Sequence, residues 1–197
     1  MPFLKKIAPF LVLLLAVATV YSRVITFPFL QFDDDRFITQ NPMIHKGLSW
    51  SSLVWSWKAQ LTEPTYYVDY WQPVTLFFRM LIISLFGLKA YAHHAMSLLL
   101  HFLNASLFYL FLRRLRLGLL GSMMSALIFA VHPMQVEAVS WITAQKDLLS
   151  SFFGLLSLLS LTHGVGAILF FALGVMSKPS LIVLPALVFL LHMGGFV

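Results

Sequence analysis

The chain has 197 residues, of which 60% are hydrophobic, 15% aromatic and only 10% charged, with a formal net charge of +6. A soluble domain carries roughly a quarter of its residues as charges, and a disordered chain needs low hydrophobicity, so both classes are excluded. The mean hydropathy of +0.89 assigns the chain to a bilayer. Cysteine is absent, which removes disulfides and thiolate metal sites. The basic balance does not indicate nucleic acid, because the bases sit mostly at the ends of apolar runs and not on a solvated face.

Lys5 and Lys6 precede the first apolar run, Ile7 to Phe27, which is long enough to span at about 20 residues. With no small-x-small cleavage site after it, the run reads as an uncleaved anchor and not as a signal peptide. A long segment, 28–90, follows. It holds four of the five tryptophans (Trp50, Trp55, Trp57, Trp71) with Tyr66, Tyr67 and Tyr70, the residue types of a membrane–water interface. Connections of this length usually carry function. Two helices are expected inside it. One covers 49–59 and is opened by Ser49 as N-cap. The other covers 73–88, starts with Pro73 in its first turn, and is apolar enough for an interfacial helix or a buried short span.

Tyr91 to Leu112 forms a second span ending on Arg113, Arg114 and Arg116, and Gly118 to Val131 returns, with Pro133 marking its end. A fourth helix is expected over 138–161, broken by Gly164 and Gly166, and two short apolar segments follow at 165–176 and 180–192. The last two suit tilted helices or a re-entrant pair. The expectation is therefore an all-α, polytopic integral membrane protein of five to six helices, one membrane domain over 1–197, with a long first external loop. Gly194 to Val197 has no charged flank, which fits either an abrupt end or the front half of something longer.

Two basic stretches, Lys5 with Lys6 and Arg113, Arg114 with Arg116, contain no acid, and the positive-inside rule sends them to the cytoplasm. All seven acids then fall outside: Asp33, Asp34, Asp35, Glu63 and Asp69 in the first loop, Glu137 and Asp147 in the second. Asp33, Asp34 and Asp35 lie a few residues beyond the first span, where clustered carboxylates favour a proton acceptor or a cation site, against the plain alternative of a solvated turn. In the second cluster, a helix begun near Pro133 puts Glu137, Trp141 and Ala144 on one face. Asp147 falls roughly 80° and Lys146 roughly 180° round from that stripe. His132 and Glu137 either act at a site or cap and pair locally. Lys178, alone among apolar residues, suits a point-charge phosphate contact or a snorkelling side chain. Arg79, His93, His94, His101 and Asn104 read as interhelical hydrogen-bonding groups.

The stretches FDDDRFITQNP (32–42), GLSWSSLVWSW (47–57), YWQPVTLFFRMLIISLFGL (70–88), HHAMSLLLHFLNASLFYLFLRRL (93–115), HPMQVEAVSWITAQKDLLS (132–150) and LGVMSKPSLIVLP (173–185) occur in this order. Together they resemble the front part of the GT-C class of membrane glycosyltransferases. Within it, they resemble bacterial multi-span proteins with tetratricopeptide repeats, relatives of the eukaryotic transmembrane and tetratricopeptide-repeat O-mannosyltransferases. The resemblance implies transfer of a sugar from a polyprenyl-phosphate donor to an acceptor hydroxyl of a protein or glycan, on the non-cytoplasmic face of a bacterial inner membrane, with inversion.

It also implies Asp33 and Asp34 as the catalytic pair and Lys178 as a contact for the donor phosphate, assisted by Lys146 or His132. Asp35 stands where a neutral polar residue is often found, and with Glu137 and Asp147 it would orient the acceptor or hold a divalent metal ion, whose requirement varies within the class. The resemblance reaches only the first part of the usual membrane module, and the connection 162–166 is short. Two further expectations follow: a second chain supplying the remaining helices or repeats, or a non-catalytic scaffold that binds lipid phosphate.

Overall fold

The computed structural model describes residues 2–195. The side chain of Lys5, and Phe196 and Val197 altogether, lie outside the described residues. Those residues form ten helices, α1 (Pro2–Tyr21), α2 (Pro42–His45), α3 (Trp50–Lys58), α4 (Pro73–Phe86), α5 (Ala90–Arg114), α6 (Leu119–Val131), α7 (Gln135–Ser140), α8 (Gln145–Leu159), α9 (Gly164–Val175) and α10 (Leu184–Met193), joined by short 3-10 turns. One isolated bridge, Ala59 with Glu63, is the only β pairing among them. Two helical stretches, 6–26 and Ala90–Arg114, are long and apolar enough to cross a membrane.

The pairing of side chains gives the helix directions. Phe10 meets Tyr109 and Tyr21 meets His101, so α1 and α5 are antiparallel. His101 reaches the Ala130 carbonyl near the end of α6. Asn104 reaches Leu148 and Arg114 reaches Leu159, so α8 runs parallel to α5. Ser150 pairs with Gly174 and Ser157 with Ala167, which turns α9 back along α8. The helices α1, α5, α6, α8 and α9 thus alternate in direction, with α10 returning last. The ends carrying Asp34, His132, Asp147 and Lys178 meet on one side, and Lys6, Arg113 and Arg114 lie at the other.

Helix α5 is the axis. His93, Ser97, His101 and Asn104 recur at spacings of four, four and three, which is one helix face, and all four are buried. Ser97 Oγ donates to the His93 carbonyl one turn back at 3.2 Å, and the other bonds of this face go to neighbouring helices. Gln145 Nε2 donates to the His93 carbonyl at 2.7 Å and to Ser97 Oγ at 3.1 Å. His101 Nε2 donates to the Ala130 carbonyl at 2.8 Å, and Asn104 Nδ2 donates to the Leu148 carbonyl at 2.9 Å. Interhelical bonds of this kind, with close packing, hold helices together where lipid supplies no hydrophobic drive.

Residues 28–90 have a separate core: Phe37, Ile38, Ile44, Val68, Leu76 and Met80 are buried there together with Ile142 from the second loop. Each such side chain contributes about 1.5–3 kcal/mol relative to exposure to water. The expected helix at 49–59 is α3, and its Ser49 forms a capping box with Ser52. The expected helix at 73–88 is α4, ending at Gly87 with a φ of 74°, a left-handed conformation that suits glycine.

The expected continuous helix over 138–161 is corrected. Trp141 is extended, with φ −95° and ψ 117°, and a 3-10 turn Ile142–Ala144 separates α7 from α8. Residues 137, 141 and 144 therefore do not share one helical stripe. The backbone breaks where Thr143 is bonded by a distant carboxylate, a tertiary contact that outweighs local helix propensity. The segment 180–192 is likewise a 3-10 turn, Pro179–Val183, followed by α10.

Candidate active site

After α1 and the turn Ser22–Thr26, the chain folds back so that Asp34 is fully buried. Its Oδ2 accepts from the Leu30 N–H at 3.0 Å, and its Oδ1 accepts from the Thr143 N–H at 2.9 Å and the Thr143 hydroxyl at 2.6 Å. The Thr143 carbonyl in turn accepts from Arg79 Nη2 at 2.9 Å. One residue of the second loop is thus held by an acid from the first loop and a base from α4. Hydrogen bonds to an ionised carboxylate are shorter and stronger than neutral ones, and the two acid-bearing segments are joined at this point.

Arg79 is 1% exposed, with Nε and Nη1 lacking hydrogen-bond partners, and the charges of Asp34 and Asp33 face it. Asp33 is half-buried. Asp35 starts a π turn, Asp35–Thr39, closed by the Gln40 N–H to the Asp35 carbonyl at 2.8 Å, and its Oδ1 accepts from the Thr39 hydroxyl at 3.0 Å. π turns inside helices are often found at functional sites. Here the turn carries Arg36 outward to Asp69, at 2.9 Å, with the Tyr66 ring 4.6 Å from its guanidinium carbon.

The remaining cations are near. The Lys146 ammonium lies 5.3 Å from the Tyr70 ring centroid and 5.8 Å from that of Phe37. Burial, and then the charge of Asp147, pushes the Tyr70 phenol up to about 12. Lys178 donates to Asp147 Oδ1, a partner 31 residues away in sequence. The turn bearing Lys178 is tied to α4 through the Val74 N–H to the Met176 carbonyl at 3.2 Å and the Thr75 hydroxyl to the Ser177 carbonyl at 2.9 Å.

Of the residues singled out by sequence, Asp33, Asp34, Lys146, Asp147 and Lys178 therefore come to one end of the helices, around Arg79 and Tyr70. Glu137 is exposed and shares a cavity with Asp147 and Lys178. Lys146 faces Tyr70 and Phe37, and the angular reading that set it apart from Glu137 assumed a continuous helix, which the break at Trp141 removes. His132 is exposed and engages its own turn, its Nδ1 accepting from the Met134 N–H at 3.2 Å. Sequence reasoning missed Thr143, and it treated Arg79 as a generic polar group. A single arginine inside the apolar run of α4 was the available signal. Among the described residues no three His, Asp or Glu side chains converge on a metal position, and Asp147 Oδ1 is taken by Lys178, so these donors do not by themselves fit a divalent ion.

No family model matches the chain, and no solved structure matches it. Among curated proteins it is similar to protein O-mannosyl-transferase TMTC3 of Mus musculus, 33% identical over 137 residues, covering 68% of this chain and 15% of that protein. It is also similar to protein O-mannosyl-transferase TMTC2 of Homo sapiens, 33% identical over 130 residues, 65% of this chain and 15% of that one. Protein O-mannosyl-transferase TMTC4 of Homo sapiens is 30% identical over 144 residues, 65% of this chain and 19% of its own length. The chain spans less than a fifth of each of these relatives.

Proposed function

We propose that this chain is a membrane-embedded glycosyltransferase module of GT-C type, moving a hexose from a polyprenyl-phosphate donor to an acceptor hydroxyl on the non-cytoplasmic face. The observation that carries the reading is the bonding of Asp34 to Thr143, which joins two acid-bearing loops beside Arg79, Lys146 and Lys178. The similarity to protein O-mannosyl-transferases supports the same class.

The chemistry divides between two neighbouring carboxylates. Asp34 has both oxygens occupied by donors and cannot face an acceptor without losing a bond, so it sets the loop. Asp33 is half-buried and next to it, and acts as general base on the acceptor hydroxyl. The hydroxyl oxygen attacks C1 of the sugar, the bond from C1 to the lipid phosphate breaks, and the configuration inverts. Charge developing on the leaving phosphate is stabilised by Lys146 and Lys178, the second once it is released from Asp147; His132 is a peripheral candidate. Glu137 and Asp147 orient the acceptor, with Asp35 further along the loop. In this reading the bilayer is the solvent of the donor, and a second chain or further helices and repeats supply acceptor binding.

The test is incubation of membranes containing the chain with a labelled polyprenyl-phosphate hexose. Asp33→Asn is expected to lower transfer by about 10²–10⁴-fold, the scale of a general base, with membrane insertion unchanged. Transfer at the wild-type rate in Asp33→Asn would overturn the assignment of the base. Wild-type rates in both Asp33→Asn and Asp34→Asn would overturn the catalytic reading as a whole and favour a non-catalytic module that binds lipid phosphate.

A further inference from the structure

The seven acids leave two long acid-free stretches, 36–62 and 70–136, and the fold lays parts of both side by side. The Leu48 N–H donates to Ser84 Oγ at 2.7 Å. Gly47, with a φ of 59°, packs so closely on Ser84 that an added Cβ would overlap its hydroxyl. The connection before α3 is thereby fixed to the last turn of α4, which runs on through Gly87 and Leu88 to Lys89, the residue before α5. The ledge formed here is apolar and open. Leu48, Trp50, Leu85, Phe86, Leu88 and Tyr91 are all exposed, Trp50 by 82% and Leu85 by 66%. Apolar surface gathered in this way marks a protein or membrane contact, as scattered single residues do not.

The cations beside the ledge are unbalanced. Elsewhere in the first loop Arg36 pairs with Asp69, and Lys58 pairs with Glu63 at 3.0 Å. Lys46 and Lys89 are exposed too, but neither has an acid partner among the described residues. Lys46 donates to the Met43 sulfur at 3.5 Å, a weak acceptor, and the Lys89 ammonium lies 5.8 Å from the Tyr91 ring centroid.

The position of the ledge decides what covers it. The first turn of α4 is bonded to Met176 and Ser177 and its last leads into α5, so α4 lies across the acid-bearing end of the helices. Helix α5 is long and apolar enough to cross a membrane, and Lys89 and Tyr91 flank its first residue, which puts the ledge at headgroup level. Tryptophan and tyrosine are enriched at that level, and a lysine there lays its stem on apolar surface while its ammonium reaches the charged layer. A partner with an apolar body and an anionic head matches both halves of the ledge. A second copy of this chain would instead bring further unpaired lysines against these two, and like charges in an interface repel.

We propose that the ledge docks an anionic phospholipid of the non-cytoplasmic leaflet, with Lys46 and Lys89 on its phosphate headgroup and Trp50, Leu85 and Leu88 on its acyl chains. The contact holds α4, and with it Arg79, at a fixed depth. It concerns the bulk lipid and not the sugar donor, and it does not rest on the transferase reading: about 14 Å of α4, from Thr75 to Ser84, separates it from the turn bearing Lys178.

The test is quenching of Trp50 fluorescence in nanodiscs that carry brominated phosphatidylglycerol or brominated phosphatidylcholine as a minor lipid, with the bromines near the headgroup end of the chains. The Trp50 signal is the difference between the wild-type chain and Trp50→Phe. Half-quenching is expected at a lower fraction of phosphatidylglycerol, by about fivefold for each lysine, and the preference is expected to shrink as salt is raised. Lys46→Gln with Lys89→Gln is expected to equalise the two lipids, and Lys46→Arg with Lys89→Arg to keep the preference. Lys58→Gln, at a paired lysine, is expected to leave it within about twofold; its loss there would assign the preference to the diffuse charge of the loop and overturn the ledge. A Trp50 that neither lipid quenches overturns the proposal, giving the ledge to water if the chain is monomeric and to protein if it dimerises. Equal quenching by both lipids in the wild type, or a preference that survives the double glutamine variant, overturns the headgroup contact. Should that variant fail to insert, a wild-type preference that does not shrink with salt overturns it instead. The two proposals fail separately: loss of the lipid preference leaves the base at Asp33 standing, and full transfer in Asp33→Asn leaves the ledge standing.

Discussion

The two ends of the helices are built by different means. At the end that holds the acids, segments far apart in sequence are stitched through buried groups: Asp34 with Thr143, 109 residues on, and Thr75 with Ser177, 102 residues on. At the opposite end, Arg113 turns back to the Leu117 carbonyl at 2.7 Å, and Arg114 donates to the Leu159 carbonyl and to the Thr162 hydroxyl at 3.1 Å. The Arg113 contact closes a short connection at the surface, and those of Arg114 tie α5 to the end of α8, 45 and 48 residues on, through exposed or partly buried groups. One end is a preorganised polar centre and the other a set of helix caps, so substitutions should be costly at the first and mild at the second.

The sharpest break comes from the buried latch. Asp34→Ala leaves Arg79 and the Thr143 donors without their partner, and removing one member of a buried charged network costs about 3–5 kcal/mol. A fall of that size is expected in thermal unfolding in detergent. Thr143→Val should cost less, and a double-mutant cycle should show strong coupling between the two. Additive losses would dissolve the latch and, with it, the contrast between the ends.

Next is the packing beneath Lys178. Gly174 is buried where α9 meets α8, and a Cβ there would run into Leu181 and stand 3.3 Å from the Phe153 Cβ. Gly174→Ala is expected to destabilise by about 1–3 kcal/mol through overpacking, read from the same unfolding curves. At the basic end the sign reverses. Arg116 adopts a φ of 64°, so Arg116→Gly relieves left-handed strain of about 1 kcal/mol and should raise the unfolding temperature slightly. A fall would mean that the arginine anchors that turn by its charge.

Two smaller effects separate stability from chemistry. Lys178→Met removes a partly exposed ion pair, whose loss costs no more than about 1 kcal/mol, whereas transfer from a lipid-phosphate donor should fall far more. Equal, small effects on both would leave Lys178 a surface cation. Tyr70→Phe deletes a buried hydroxyl that has no partner, and stability near neutrality should not fall. Because the folded phenol is raised from 10 to about 12, the unfolded chain ionises first and wild-type stability falls as pH rises from 10 through 12, a loss that Tyr70→Phe should not show. Phenolate absorbance should therefore lose its late-titrating step in Tyr70→Phe.

Much of the helical frame was legible because it is local. A run of about 20 apolar residues is a span by length alone, and Ser49 and Pro73 announce the starts of α3 and α4 through backbone groups within a turn of themselves. The break at Trp141 was not legible. The residues 137–147 read as one helix by spacing, and what interrupts them is a carboxylate 109 residues earlier. Lys178 appeared isolated for the same reason, since its acid is 31 residues away. Gly174, which lets α9 approach α8, carried no more sequence signal than the other glycines.

The sequence by itself determined that charge is scarce and that the acids occupy two stretches, because composition and order need no folding to be read. Apolar length and flanking charge likewise set the two long helices, as each is a property of contiguous residues. Only the tertiary structure decided that Asp34 is a buried tie while Asp33 beside it stays half-open, and that Arg79 faces both. These depend on which groups meet across more than a hundred residues of chain, where burial and hydrogen-bond geometry distinguish neighbours that the alphabet writes with the same letter.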